Sequence, residues 1–332
     1  MRKHGGDVYA YSGQYENILD FSANTNAFID TGVLSRYPEV SPGDIEKMIL
    51  QYTGAKSLRV IIGPGLTHFI YRIPAWMGLR RSLIIEPNFN EYEASLLAYG
   101  SRTSSLGLGV LKRNPEIVRS YRPDSIFICS PVNPTGDLVD AGLLRKLSME
   151  MSRMGGILFV DQAFGDFVPE HAEETVRIAE EMGNVIIGRS LTKILSIPSL
   201  RLGYILVSDQ VFGMIRDREE PWAVCEPALE FVRKADLKAL RDTSLKRIGE
   251  ERSYLMEALE NMGFEILGDP HANFIAFRSP FEIDLKKQLL KSGILIRDLS
   301  DYADFGKNCY RVAVRGRSEN ALLIQALRNA IL

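Results

Sequence analysis

The chain has 332 residues, 45% of them hydrophobic and 25% charged, the profile of an ordinary globular protein large enough for two lobes around a cleft. A formal net charge of -2 argues against a chain built to grip nucleic acid or an anionic membrane surface. Three distant cysteines (129, 225 and 309) and only four histidines argue against a metal site and fit reduced thiols in a cytoplasmic compartment. The first residues hold no signal-peptide core, and no apolar run approaches the roughly 20 residues of a membrane span.

Residues 1–36 are rich in Gly, Ser, Asn and Tyr and read as an extended arm. Short apolar runs at 58–62, 82–85, 125–129, 156–160, 185–187 and 203–207 then alternate with helical patterns at 90–99, 141–154 and 173–182. That alternation predicts an α/β fold with a largely parallel, doubly wound sheet, assigned to a large domain over residues 37–226. Beyond it, an amphipathic stretch at 227–262 leads to strands near 263–266, 273–277, 294–297 and 310–314. Helices fall at 284–292 and 318–331, the latter with Ser318 as a candidate N-cap. Residues 227–332 are expected to form a second, smaller α/β domain.

Ligands of doubly wound sheets bind at the carboxyl ends of strands, so the polar residues that follow each apolar run carry the functional signal. After the first run comes Gly63-Pro64-Gly65-Leu66-Thr67, a turn into a helix whose free amides suit an anion. The third run ends in Ser130-Pro131-Val132-Asn133-Pro134-Thr135-Gly136, which is either a plain turn or a means of aiming the Asn133 amide into the crevice. The fourth ends at Asp161 in Asp161-Gln162-Ala163-Phe164. A carboxylate there is costly to desolvate unless a cation meets it, and a helix cap is the alternative. After the fifth run come Ser190, Thr192 and Lys193, with Arg201 eight positions beyond the lysine. An amine, two hydroxyls and a guanidinium in one short stretch suit a phosphorylated carbonyl cofactor.

The ordered set Asn-Pro-Thr-Gly, Asp-x-Ala-Phe and Ser-x-Thr-Lys with a later Arg resembles the class I/II aminotransferase family of fold-type I pyridoxal-phosphate enzymes. The order and spacing match across nearly the whole chain. The resemblance implies pyridoxal 5'-phosphate as cofactor and Lys193 as the residue forming the Schiff base and handling the α-proton. It implies that Asp161 pairs with the pyridine nitrogen, that Asn133 donates to the phenolic oxygen, and that Phe89 stacks on the ring. Gly65, Leu66, Thr67, Ser190 and Arg201 would hold the phosphate, and Thr192 would belong to the same cofactor site. Tyr37 matches a tyrosine that in relatives reaches the phosphate of a neighbouring subunit, which implies a homodimer.

Within the family the chain resembles two branches, the threonine-phosphate decarboxylases of cobalamin synthesis and the histidinol-phosphate aminotransferases. The arm (His4-Gly5-Gly6-Asp7, and Leu19 to Asn26), the run Asp161 to Phe167, and the pair Arg315 and Arg317 look like the decarboxylase. Arg317 is the expected α-carboxylate clamp, and Arg315, His4 and Asn26 are expected to meet the rest of a small phosphorylated amino-acid substrate. The expected reaction is decarboxylation of O-phospho-L-threonine to 1-amino-2-propanol phosphate, with a histidinol-phosphate-type aminotransferase as the alternative. Gln162 stands where relatives usually carry Glu, Ala27 where proline is common, and Phe164 lacks the hydroxyl that tyrosine supplies in many aminotransferases.

Overall fold

The computed structural model describes residues 8–11, 14, 18, 20–26, 28, 31–32, 36–40, 42–302 and 304–331; His4 lies outside them. Seven strands, β1 (Arg59–Gly63), β2 (Arg81–Glu86), β3 (Arg102–Gly107), β4 (Ser125–Cys129), β5 (Ile157–Gln162), β6 (Val185–Ser190) and β7 (Gly203–Val207), form one sheet. Their spatial order is β1-β7-β6-β5-β4-β2-β3. All neighbours pair in parallel except β7, which runs antiparallel to both β6 and β1. The three central strands β4, β5 and β6 are buried at every position, which is why they read as unbroken apolar runs.

The strand β3 carries no such run. It is an edge strand, and its Arg102-Thr103-Ser104-Ser105 stretch leaves most side chains partly or fully exposed, so backbone pairing with β2 rather than apolar burial defines it. Helices cover both faces, among them Leu66–Met77, Glu91–Ala98, Ala141–Arg153 and Pro169–Met182. The last of these begins four residues before the pattern predicts, because Pro169 fits the first helical turn. Among the described residues no helix is long and apolar enough to cross a membrane.

A second sheet pairs β8 (Glu265–Ile266), β9 (Phe274–Arg278), β10 (Arg297–Asp298) and β11 (Cys309–Ala313) in the order β10-β11-β9-β8, all antiparallel. The amphipathic stretch at 227–262 is two helices, Glu226–Lys234 and Leu237–Asn261, broken where Asp236 caps the second by accepting from the Ala239 amide at 2.9 Å. Ala228, Leu229, Val232 and Leu237 pack into the core of the large sheet, beyond the expected boundary at 227. The long helix then spans both cores: Leu237 is buried in the first, Ile248 touches both, and Leu255 and Leu259 are buried in the second. The final helix, Arg317–Ile331, starts one residue earlier than the pattern predicts. That shift takes Ser318 into the helix rather than onto its cap.

Candidate active site

The ladder registers align the polar strand ends. Cys129 pairs with Asp161, Asp161 with Gly188, and Gln162 with Arg189, so Asn133, Asp161 and Lys193 leave the same edge of adjacent strands. Lys193 sits in the single-turn helix Leu191–Ile194 directly after β6. It reaches a cleft of about 830 Å³ whose wall also holds Phe164, Asn273, Phe274, Arg311 and Arg315. Its side chain is open to that cleft, yet surrounding protein still withdraws water from the amine. Desolvation first, then the charges of Arg311 and Arg201, hold the Lys193 amine below the ordinary lysine range, against the pull of Asp161.

Asp161 is only 3% exposed. Its Oδ2 accepts from the Tyr92 hydroxyl at 2.5 Å and its Oδ1 from the Ala163 amide at 2.8 Å. Burial pushes its pKa up, and those two hydrogen bonds and Lys193 pull it back. Among the described residues it forms no ion pair. A carboxylate sunk at the end of an apolar strand, with Lys193 acting on it only beyond ion-pair distance, suits a cationic ligand group.

A glycine turn leads into the helix Leu66–Met77. The Gly65 amide is already taken by the Gly63 carbonyl at 2.7 Å, so Gly65 contributes space, while the amides of Leu66 and Thr67 open the helix with no intrahelical acceptor. Gly65 has φ +84°, and a Cβ there would lie 2.7 Å from Arg201 Nη2. A Cβ on Gly203 would meet the Leu66 nitrogen at 2.7 Å, so β7 admits the loop only without a side chain. The Ser190 and Thr192 hydroxyls are buried and 2.7 Å apart, and Arg201 donates from Nη1 to the Pro198 carbonyl at 3.1 Å. Arg201 thus lies against the Gly65 turn, and the Ser190–Thr192 hydroxyl pair follows β6, the strand next to β7. Phe89 is half-buried, edge-on to Tyr92 with centroids 6.1 Å apart. Tyr37 is 38% exposed and packs on Trp222 at 4.7 Å.

The arginines on and just after β11 are placed differently from the sequence expectation. Arg317 lies away from Lys193: its Nε donates to Glu251 at 2.8 Å and its guanidinium sits 3.8 Å over the Tyr254 ring. Arg315 is exposed and donates to Glu319 at 2.7 Å, although it lines the outer cleft. Arg311 instead faces Lys193. It lies 5.2 Å over Phe274 and donates to the Asn133 side-chain oxygen. That contact spends the Asn133 oxygen and leaves its NH2 to donate. Asn26 is exposed and accepts from the Phe28 amide at 3.0 Å, a local turn. Phe164, edge-on to Phe274 at 4.8 Å, lines the cleft without a hydroxyl. Gln162 turns away, its amide donating to Thr175 at 2.8 Å.

Three arginines share one short segment, and the sequence alone does not tell which of them faces Lys193. The signal of Arg311 was position: it interrupts the apolar strand Cys309-Tyr310-Arg311-Val312-Ala313, where a guanidinium must earn its desolvation through a partner or ligand. Tyr92 went unnoticed because a tyrosine inside an apolar helix face reads as core.

The model of the aminotransferase class I and II family matches residues 9–327. The chain is 30% identical over 355 aligned residues to a threonine-phosphate decarboxylase of Salmonella typhimurium, covering 99% of this chain and 96% of that protein. It is similar in fold to a histidinol-phosphate aminotransferase from Clostridium acetobutylicum (TM-score 0.81, 24% identity, 89% of this chain and 90% of that one). A histidinol-phosphate aminotransferase of Sinorhizobium meliloti solved with pyridoxal-5'-phosphate shares the fold too (TM-score 0.75, 16% identity, 93% and 89%).

Proposed function

The chain belongs to the aminotransferase class I and II family, and we propose that it uses pyridoxal 5'-phosphate to decarboxylate O-phospho-L-threonine to 1-amino-2-propanol phosphate. The observation that carries this reading is the Arg311–Asn133 contact beside Lys193, with the buried Asp161 at the neighbouring strand end. The residues fit the cofactor. Leu66, Thr67, Ser190, Thr192 and Arg201 would hold its phosphate, Asp161 its ring nitrogen, the Asn133 NH2 its phenolic oxygen and Phe89 its face. Bound, the cofactor supplies an aldehyde for an amine and a ring that draws electrons from a bond broken at the substrate's α-carbon.

Arg311 holds the substrate carboxylate through its planar fork of N–H donors. The lowered pKa of Lys193 enlarges the neutral fraction of an amine that would bond the cofactor's aldehyde and would carry a proton to or from the substrate's α-carbon. Lys286 lines the outer cleft together with Arg315 and Arg297, which are paired with Glu319 and Asp301, and these donors would meet a substrate phosphate. His4 and Asn26, on the arm, and Tyr37, across a homodimer interface, belong to the same proposal.

The proposed architecture is an arm (1–36), a large cofactor lobe and a small lobe, with the helix Glu226–Lys234 counted in the large lobe because its apolar face packs there. Three free cysteines suit a cytoplasmic setting. Which bond breaks depends on which one stands perpendicular to the cofactor ring, so transamination is the second reading, favoured by the likeness to histidinol-phosphate aminotransferases. Incubation with phosphothreonine decides between them. Release of CO2 and aminopropanol phosphate supports the proposal; conversion of histidinol phosphate with 2-oxoglutarate, without CO2 from phosphothreonine, replaces it with the second reading.

A further inference from the structure

Asp161 does not stand alone under the cleft. The Tyr92 hydroxyl reaches its Oδ2 at 2.5 Å, and both residues are buried, Tyr92 completely. The Tyr92 ring is edge-on to Phe89 (6.1 Å, 89°) and tilted against Phe127 (5.7 Å, 45°), which holds its hydroxyl between Asp161 and the Cys129 thiol. Ala163 holds the other carboxylate oxygen at 2.8 Å. Each oxygen thus has one donor, from the helix Glu91–Ala98 on one side and the turn after β5 on the other, and the remaining lone pairs are fixed in direction.

We propose that Tyr92 is a positioning residue for the cofactor: by donating to Asp161 it keeps the carboxylate ionised and aimed, and so keeps the proton on the cofactor's ring nitrogen. This rests on the cofactor assignment above. The groups facing Asp161 are Tyr92, the Cys129 thiol of β4 and Lys193. Burial first, and then the Asp161 charge, push both the Tyr92 hydroxyl and the Cys129 thiol up, so both stay protonated and Tyr92 remains a donor. Burial alone favours a neutral Asp161, and the Tyr92 hydrogen bond is the first force opposing it. Without that bond the buried carboxylate competes for the proton it should leave on the ring. The electron-drawing power of the ring then falls with no change in the residues that touch substrate.

The test compares the full-length wild type and Tyr92→Phe, each loaded either with pyridoxal phosphate or with its 1-deaza analogue, in which CH replaces the ring nitrogen. A hydrogen bond to a charged group corresponds to about tenfold in affinity, so Tyr92→Phe should bind pyridoxal phosphate about tenfold more weakly and the deaza analogue as well as wild type does. The 15N resonance of ring-labelled cofactor should move toward the unprotonated position in the variant. An equal loss for both ligands, or no loss with pyridoxal phosphate, overturns the proposal. Should Tyr92→Phe not fold, 3-fluorotyrosine at position 92 is a near-isosteric stronger donor. It should shift the 15N resonance the opposite way, and no shift overturns the proposal equally. A wild-type protein that takes up neither ligand and shows no borohydride-sensitive visible band sinks the cofactor assignment itself, a result separate from any behaviour of the variant.

Discussion

The Arg311 guanidinium, on a strand of the small sheet, donates to the Asn133 side-chain oxygen on the loop after β4, 178 positions away in the chain. This contact joins the two sheets at the point where Lys193 opens into the cleft. Arg311 is largely desolvated, which together with the charge of Arg297 lowers its pKa while Tyr302 raises it, yet a guanidinium there stays charged at any working pH. Removing one partner from a buried, hydrogen-bonded charge costs about 2–5 kcal/mol. Arg311→Gln is therefore expected to cut kcat/KM for the α-amino acid substrate by roughly a hundredfold while pyridoxal phosphate still binds. Arg317→Ala removes only an exposed ion pair and a ring contact and should change kcat/KM by less than about threefold. Steady-state kinetics on the two variants separate these roles, and the reverse ranking would return the clamp to Arg317.

Much of the site was legible because it obeys one rule. Asn133, Asp161 and Lys193 each follow a strand buried at every position, so their polarity stands out against apolar runs. The turn at Gly65 was legible because a glycine precedes a helix. What escaped was tertiary. Neither the spacing of Arg311, Arg315 and Arg317 nor the pleat tells which faces Lys193, because Arg311 and Arg315 share a strand parity and only the pairing of β11 with β9 sets the strand's depth. The polar edge strand β3 escaped because it buries little. The helix break at Asp236 escaped because both halves are amphipathic and continuous in pattern.

Lys193 gives a pH prediction. Its amine is held below the ordinary lysine range by burial, then by Arg311 and Arg201. Only the neutral amine attacks an aldehyde, so the rate of pyridoxal-phosphate uptake by the cofactor-free protein should rise with pH and level off below the ordinary lysine pKa. Taking away the Arg311 charge (Arg311→Gln) removes a repulsion that lowers the pKa, and the midpoint should move upward. Stopped-flow absorbance across a pH series reads both midpoints. An unchanged midpoint would mean that Arg311 does not act on this amine.

Gly65 predicts a coupled loss. Its φ of +84° is strained for any side chain, and a Cβ would press to 2.7 Å on Arg201 Nη2. Gly65→Ala should destabilise the fold by about 1–2 kcal/mol and also displace Arg201 from the phosphate cradle. Urea unfolding of the cofactor-free protein gives the first effect. Weaker binding of inorganic phosphate and of pyridoxal phosphate, by isothermal titration calorimetry, gives the second. Destabilisation with intact binding would show that Arg201 is not a phosphate ligand.

Arg189, the residue before Ser190 in β6, is buried against Asp166 at 3.3 Å, and Asp166 also accepts from the Tyr52 hydroxyl at 3.0 Å. Burial drives the Asp166 pKa up and Arg189 is the largest force opposing it. Arg189→Met leaves a buried, unpaired carboxylate and should cost about 3–5 kcal/mol at neutral pH, whereas Arg189→Met with Asp166→Asn should recover most of that. The sign with pH follows from the raised pKa. In Arg189→Met the folded state binds a proton more tightly than the unfolded chain does, so stability falls as pH rises through the folded-state pKa of Asp166 and recovers as pH is lowered. Urea unfolding of the single and double variants at mildly acidic and neutral pH checks both. Equal instability of the two variants at both pH values would mean that the loss comes from packing beneath the Lys193 segment rather than from the orphaned charge.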